Sequence, residues 1–424
     1  MNTAKIFTFG LVLAGCTHDI ETYKPLDVQP ARELDVLFVL DDSTDRGRYD
    51  QMAQQLDVLQ SQLASVDGQL PSLHVGVVTT DLGTSSTDDD VPLRPTIMGC
   101  FGYGKEAKLQ KFTSTITDTF LSDERDGSGG RTKNYSGDLA TELAKLTNPN
   151  MPPAGCEIEQ PMEAMRRALD PSTNPGFVRD GALLSVVFLT NEDDCSLKTG
   201  ALLEPLDATL GPLTSFRCTR EGVICDPDDP ARPGRHVNCR PREDSRFVAH
   251  VGDYVDFLAN LKPDRADVTV TAVAGPTQDF IVRDFGQPLL HPSCQGPGGL
   301  AVPAVRLGAL ASQFGGGIVD GCAQTDTYQQ IATPIVNRQR SCFPSLAMAE
   351  MDDCSVTEIA GDVETDFDRC PDGDAGDVGD AGPCWYAYTD AAACPSGENL
   401  GIAIKRGSTV APANARIEAR CFVR

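Results

Sequence analysis

The chain is poor in the residues that carry most enzyme chemistry. Its 424 residues include five histidines (His18, His74, His236, His250 and His291) and a single tryptophan, Trp385. None of these histidines lies near the acidic loops described below, so a general base there has to be a carboxylate. There is no G-x-S-x-G elbow, no H-E-x-x-H and no glycine-rich phosphate loop after a strand. The expectation is therefore a protein that is not an enzyme. Positive charge is scarce as well: 36 Lys and Arg stand against 61 Asp and Glu, a net of -25. No basic stripe is present, and such a field repels a phosphate backbone, which argues against nucleic acid as a partner. The same field suits divalent cations, or a well-solvated exported surface.

Long apolar runs are missing too. Ile6 to Leu13, behind Lys5, is too short to span a bilayer and reads as the core of a signal peptide. The following Leu13-Ala14-Gly15-Cys16 resembles the bacterial lipobox, in which the cysteine sulfur is lipidated and the preceding peptide removed. An ordinary secretory signal cut nearby is the other reading. The lipobox implies that Cys16 opens the mature chain and carries several acyl chains, enough for stable anchoring where one chain is marginal. Thr17 follows it rather than Asp, which by the enterobacterial sorting rule implies the outer membrane. Of the 15 cysteines, those other than Cys16 are even in number, as expected for disulfides in an oxidising compartment. No C-x-x-C or Cys–His cluster occurs, which argues against zinc.

Beyond the leader (1–16), residues 17–33 lack apolar periodicity and read as a flexible tether. Apolar runs then alternate with helical patterns. Asp35–Leu40, Leu73–Asp81, Ala182–Thr190 and Asp267–Gly275 read as strands buried on both faces. Tyr49, Met52, Leu56, Leu59 and Leu63 recur at helical spacing. Further helices are expected over Ser136–Lys145, Pro161–Leu169, Phe247–Leu261, Val305–Phe314 and Asp326–Val336, with a short strand at Gly316–Asp320. This alternation predicts an α/β domain over 34–340, a doubly wound and mainly parallel sheet. Residues 197–245 read as a disulfide-stapled insertion without a core of its own. Residues 341–424 read as a small β-rich, Cys-rich appendix, with Trp385 packed on a disulfide.

In such a sheet ligands collect at the carboxyl ends of the strands. The loops there are "DDSTD" (41–45), "TTDLGTSSTDDD" (79–90) and "NEDDCS" (191–196). All are rich in oxygen, which hard cations require from several directions at once. Strand, "DxSxS", helix and a later apolar strand is the pattern of the von Willebrand factor A domain. More closely, "DVLFVLDDS", "HVGVVTTD", "CEIEQPMEAMRRAL" and "FLTNEDDCS", together with the lipobox, resemble lipoproteins of that family from myxobacteria and their deltaproteobacterial relatives.

The resemblance implies a Rossmann-like fold and a metal-ion-dependent adhesion site. Carried over by position, Asp41 and Ser43 match the first two ligands, and Asp45 replaces the usual third Ser. Glu157 or Glu159 stands near the usual Thr, and Asn191, followed by Glu192, replaces the late-strand Asp. The implied ligand set is Asp41, Ser43, Asp45, Glu159, Asn191 and Glu192, for Mg²⁺ or Ca²⁺. So many carboxylates together either hold a cation or bind protons. Three readings stand: a cation site, a metal-free relic, and an unrelated acidic turn. The expected function is binding of a protein or cell-surface ligand at this edge, or a scaffold role in the envelope. Asp81 reads as the end of a strand rather than a ligand, and the Asp372–Gly382 tract as a flexible, solvated turn.

Overall fold

The apolar runs pair in one central sheet. The computed structural model describes residues 22–28, 32–43, 49, 52–66, 69–88, 97–126, 130–148, 156–226, 230–277, 280–323, 325–339, 342–343, 354–360, 362–371, 382–389, 400–406 and 416–423. Seven strands lie in the spatial order Ile318–Asp320, Val268–Ala274, Leu183–Leu189, Leu34–Leu40, Leu73–Thr79, Leu121–Arg125, Arg131–Lys133. The first five run parallel; the last two attach antiparallel at one edge. The four longest parallel strands are buried at every position, as a sheet covered on both faces demands.

Side-chain alternation divides each strand between two apolar layers. Leu34, Val36, Phe38 and Leu40 meet the helices Leu56–Ala64, Leu139–Leu146 and Thr327–Gln339 on one face. Leu37 and Val39 meet Pro161–Ala168, Val251–Leu261 and Val305–Ser312 on the other. The fold is thus mixed α/β with helices on both faces. The chain leaves Leu34–Leu40 toward Leu73–Thr79 on one side and later returns to Leu183–Leu189 on the other. The strand order reverses there, which opens a crevice beyond the carboxyl ends of Leu34–Leu40 and Leu183–Leu189.

Two expectations need correction. Within the stretch read as a tether (17–33), Thr22–Val28 is a strand paired antiparallel with Arg416–Val423. It forms an edge of a second seven-stranded sheet built otherwise from the C-terminal region. Pro25 is compatible with that edge position, where a missing N–H can face away from the ladder. Residues 197–245, expected to be without regular elements, carry a helix and two strands, and these pack only together with residues from outside the stretch. Helix Phe216–Gly222 and strands Val223–Asp226 and Gly234–Pro241 are joined by Phe280–Asp284 and Pro288–Leu290, giving a four-stranded sheet. Small apolar clusters form around its half-cystines.

Disulfides join Cys100–Cys156, Cys195–Cys218, Cys225–Cys239, Cys294–Cys322 and Cys370–Cys384. Trp385 lies away from the last of these, but the half-cystine Cys354 packs against its cluster. Neighbours along a strand point to opposite faces, so Tyr386 shares the face of Cys384, while Trp385 packs with Val356, Phe367 and Ile404.

At the amino edge of the central sheet, the Arg32 backbone N–H donates to Gln339 Oε1 at 2.6 Å, and its guanidinium pairs with Asp267 at 2.6 Å. Arg32 and Gln339, the last described residues of the central domain on either side of the second sheet, thus meet at this edge.

Candidate cation site at the carboxyl edge of the sheet

The strand Leu34–Leu40 is bounded by two wholly buried aspartates, Asp35 and Asp41. Asp35, at the amino edge, has cations beside it: Arg179 Nε at 2.9 Å and Lys262 Nζ at 3.7 Å. Asp41, just past the carboxyl end, has no Lys or Arg within ion-pair distance among the described residues. A buried carboxylate without a counter-charge is expensive to ionise, and burial, then the neighbouring charge of Asp42, raises the Asp41 pKa. Asp42 differs: its nearly buried side chain is salt-bridged to Lys105.

Register explains what surrounds Asp41. Leu40 pairs with Thr79 on one side and Leu189 on the other, which puts Thr80 and Thr190 at the level of Asp41. Backbone bonds continue there, Thr80 N to Leu40 O and Asp41 N to Leu189 O, both 2.9 Å. By alternation, Val39, Val78 and Phe188 share one apolar layer, so Asp41, Thr80 and Thr190 project to that same face. Thr190 Oγ1 donates to Asp41 Oδ2 at 3.3 Å. Thr80 Oγ1, fully buried, has no hydrogen-bond partner among the described residues. Neither threonine is among the ligands expected from the sequence, although Thr80 belongs to the oxygen-rich 79–90 loop and Thr190 ends a predicted strand. Their signal was the hydroxyl residue that ends each adjoining apolar run, in "VVTTD" and "VVFLTN".

Ser43 turns back onto Asp41, its N–H at 2.9 Å and its hydroxyl at 2.7 Å from Oδ1. The same hydroxyl lies 2.7 Å from Glu159 Oε1. A serine hydroxyl has one proton, so it satisfies one carboxylate and leaves the other to be bridged by a proton or a cation. Glu159 arrives from the loop before helix Pro161–Ala168. Its carbonyl accepts from Cys195 N at 2.8 Å, and Gln160 N donates to Thr80 O at 3.1 Å. Glu159 is buried and Glu157 exposed, so of the two acids weighed for this position Glu159 is the inward one.

Glu192, partly exposed, completes the cluster and shares a side-chain hydrogen bond with Glu159. Burial, with the charges of Glu192 and then Asp41, holds the Glu159 pKa well above its ordinary value. Burial, then Asp41, pushes Glu192 up to about 7. The donors are all hard oxygens, as Mg²⁺ and Ca²⁺ require. Adjacent oxygens in an octahedral Mg²⁺ shell lie about 2.9 Å apart, close to the 2.7 Å that separates Ser43 Oγ from each acid. In kind the oxygens suit a hard divalent cation, although the ligand atoms of Asp41, Glu159 and Glu192 do not all lie within 4.8 Å of one another.

The other candidates separate by role. Asn191 meets the Asp41 carboxylate through its backbone N–H, while its side-chain oxygen is buried and has no partner among the described residues. Asp193 caps helix Val305–Ser312, accepting from Arg306 N and Leu307 N. Burial nonetheless raises its pKa to about 6. Asp194 accepts from Met162 N at 3.0 Å at the start of helix Pro161–Ala168, and pairs with the buried Arg306 at 2.9 Å. Asp81 closes a turn onto Gly83 N at 2.9 Å. Asp45 and Cys16 lie outside the described residues.

A second acid-and-sulfur grouping is Cys294, Asp320 and Cys322, whose ligand atoms lie within 4.8 Å of one another. The two sulfurs are bonded to each other at 2.03 Å and have no thiolate to offer a metal. Asp320 Oδ1 is engaged by the N–H groups of Cys322 and Ala323. This is a stapled turn in the oxidised chain.

Beside Glu192 a cavity of about 140 Å³ opens between Ser215, Phe216, Leu289, Leu290 and the Cys195–Cys218 disulfide. Ser215 hydrogen-bonds the Glu192 carboxylate, which sets that acid in the cavity wall.

No family model matches this chain, and no curated protein matches it. Among solved structures it is similar to the human COPII-coat protein Sec24c, at 9% identity and a TM-score of 0.28. That alignment covers 93% of this chain and 44% of the other, so the chain spans less than half the length of that protein. A likeness this low speaks neither to fold family nor to function.

Proposed function

We propose that this chain is an exported envelope lipoprotein whose α/β body is a doubly wound domain of von Willebrand A type, binding a protein or surface partner at the carboxyl edge of its sheet. The observation that carries this is the convergence of Asp41, Ser43, Glu159 and Glu192 at the strand-order reversal, with no Lys or Arg within ion-pair distance of the acids among the described residues. Asp41, Ser43 and Glu159, with Glu192 beside them, would hold Mg²⁺ or Ca²⁺, which supplies the missing positive charge. The lipobox-like Leu13–Cys16 supports a membrane anchor, on the outer membrane by the residue after it.

The residues also depart from the usual pattern in a way that bears on recognition. Three carboxylates occupy a place where the family has fewer acids and more hydroxyls. An acidic group from a partner is therefore disfavoured here, and recognition has to use other chemistry. A second reading rests on the single proton of Ser43: a proton on Glu159 bridges the pair as well as a cation does, leaving a metal-free scaffold protein.

Calorimetry on the purified, detergent-solubilised chain decides between them. Heat on adding millimolar Ca²⁺ or Mg²⁺, lost in Asp41→Ala, supports the cation site. Absence of heat and of any thermal shift with either ion overturns it in favour of the scaffold.

A further inference from the structure

We infer that the cavity beside Glu192 receives a lysine or arginine side chain presented by a protein partner, its charged end at Glu192 and its stem along Phe216, Leu289 and Leu290. This rests on the reading above, that the carboxyl edge is the partner-binding face, and gives that partner a chemical class. Charge points the same way from several sides. Asp41, Glu159 and Glu192 have no Lys or Arg within ion-pair distance among the described residues, although Asp35 on the same strand has two.

The charge count closes. Three ionised carboxylates with one divalent cation leave a single negative charge, which one ammonium or guanidinium neutralises. The cation and the basic side chain can therefore occupy the edge together. The walls fit the rest of such a side chain: long basic residues lay their methylenes on apolar surface and keep the charge at a polar end. Phe216 is buried, while Leu289 is 37% exposed at the rim, so the apolar lining reaches solvent. A net charge of -25 steers a basic partner toward this surface and repels an acidic one.

The test uses the solubilised full chain and four small probes: the N-acetyl amides of lysine, arginine, norleucine and glutamate. Binding is followed by calorimetry at up to about 20 mM probe, in EDTA and again with Ca²⁺. The lysine or arginine amide binds and the other two do not. Glu192→Gln weakens the basic probes at least about tenfold, as expected when a charged hydrogen bond is lost. Leu290→Ala weakens them severalfold while leaving the heat of Ca²⁺ binding unchanged. Norleucine amide binding as well as lysine amide, or no binding of either basic probe while the Ca²⁺ heat is intact, overturns the inference. Basic probes that bind where Ca²⁺ gives no heat leave it standing and sink the cation site instead. Glutamate amide binding in Ca²⁺ overturns it in favour of an acidic partner.

Discussion

Glu192→Gln should flatten the dependence of stability on pH. In the fold the Glu192 carboxyl titrates at about 7, against an ordinary 4.5. A group whose folded pKa is raised binds its proton more tightly in the native state. Its unfavourable contribution is absent below the unfolded value and complete above the folded one. At 1.36 kcal/mol per pKa unit, the shift is worth about 3 kcal/mol, lost as pH rises from about 4.5 to about 8. The cause is burial reinforced by Asp41, and Glu159 is raised in the same direction by Glu192, so removing one charge relieves both acids. Denaturant unfolding in EDTA, with disulfides intact, should show wild type falling by a few kcal/mol between about pH 5 and pH 8 and Glu192→Gln falling far less. Millimolar Ca²⁺ or Mg²⁺ should restore the wild type at the higher pH and leave the variant nearly unmoved. Wild type and variant losing the same stability over that interval would refute the view that these carboxylates are coupled and buried.

Two other outcomes follow from neighbouring geometry. Asp194→Ala should cost about 3–5 kcal/mol in urea unfolding, because it strands the buried Arg306 and uncaps Met162 N; pairing Asp194→Leu with Arg306→Met should recover most of the loss. Replacing Cys294 and Cys322 by Ser should lower stability by about 3–4 kcal/mol through the opened loop of 28 residues, and metal analysis of the oxidised wild type should find no zinc.

The parallel core was open to reading because its signal is local. "LDVLFVL" and "LLSVVFL" are unbroken apolar runs, and only a strand covered on both faces uses such runs at this length. The cluster at the sheet edge was partly legible: Asp41 and Ser43 follow directly from where a strand ends. The resemblance places Glu159 in the set, with Glu157 beside it as an alternative, and the physical reason for its inward position is a loop held by Thr80 and Cys195, far away in sequence. Asp193 and Asp194 look like ligands in one dimension, yet each serves a helix end that the linear chain does not display beside it. The strand Thr22–Val28 was hidden for a similar reason. Its partner lies almost four hundred residues away, and Pro25 disguises an edge strand as a linker.

The strand Leu34–Leu40 also sets a direction for the whole molecule. Arg32 and Gln339 meet at its amino end, and the acids gather beyond the other end, about 20–25 Å away for seven residues in extended form. Changes at one pole are separated from the acids at the other by the full length of that strand.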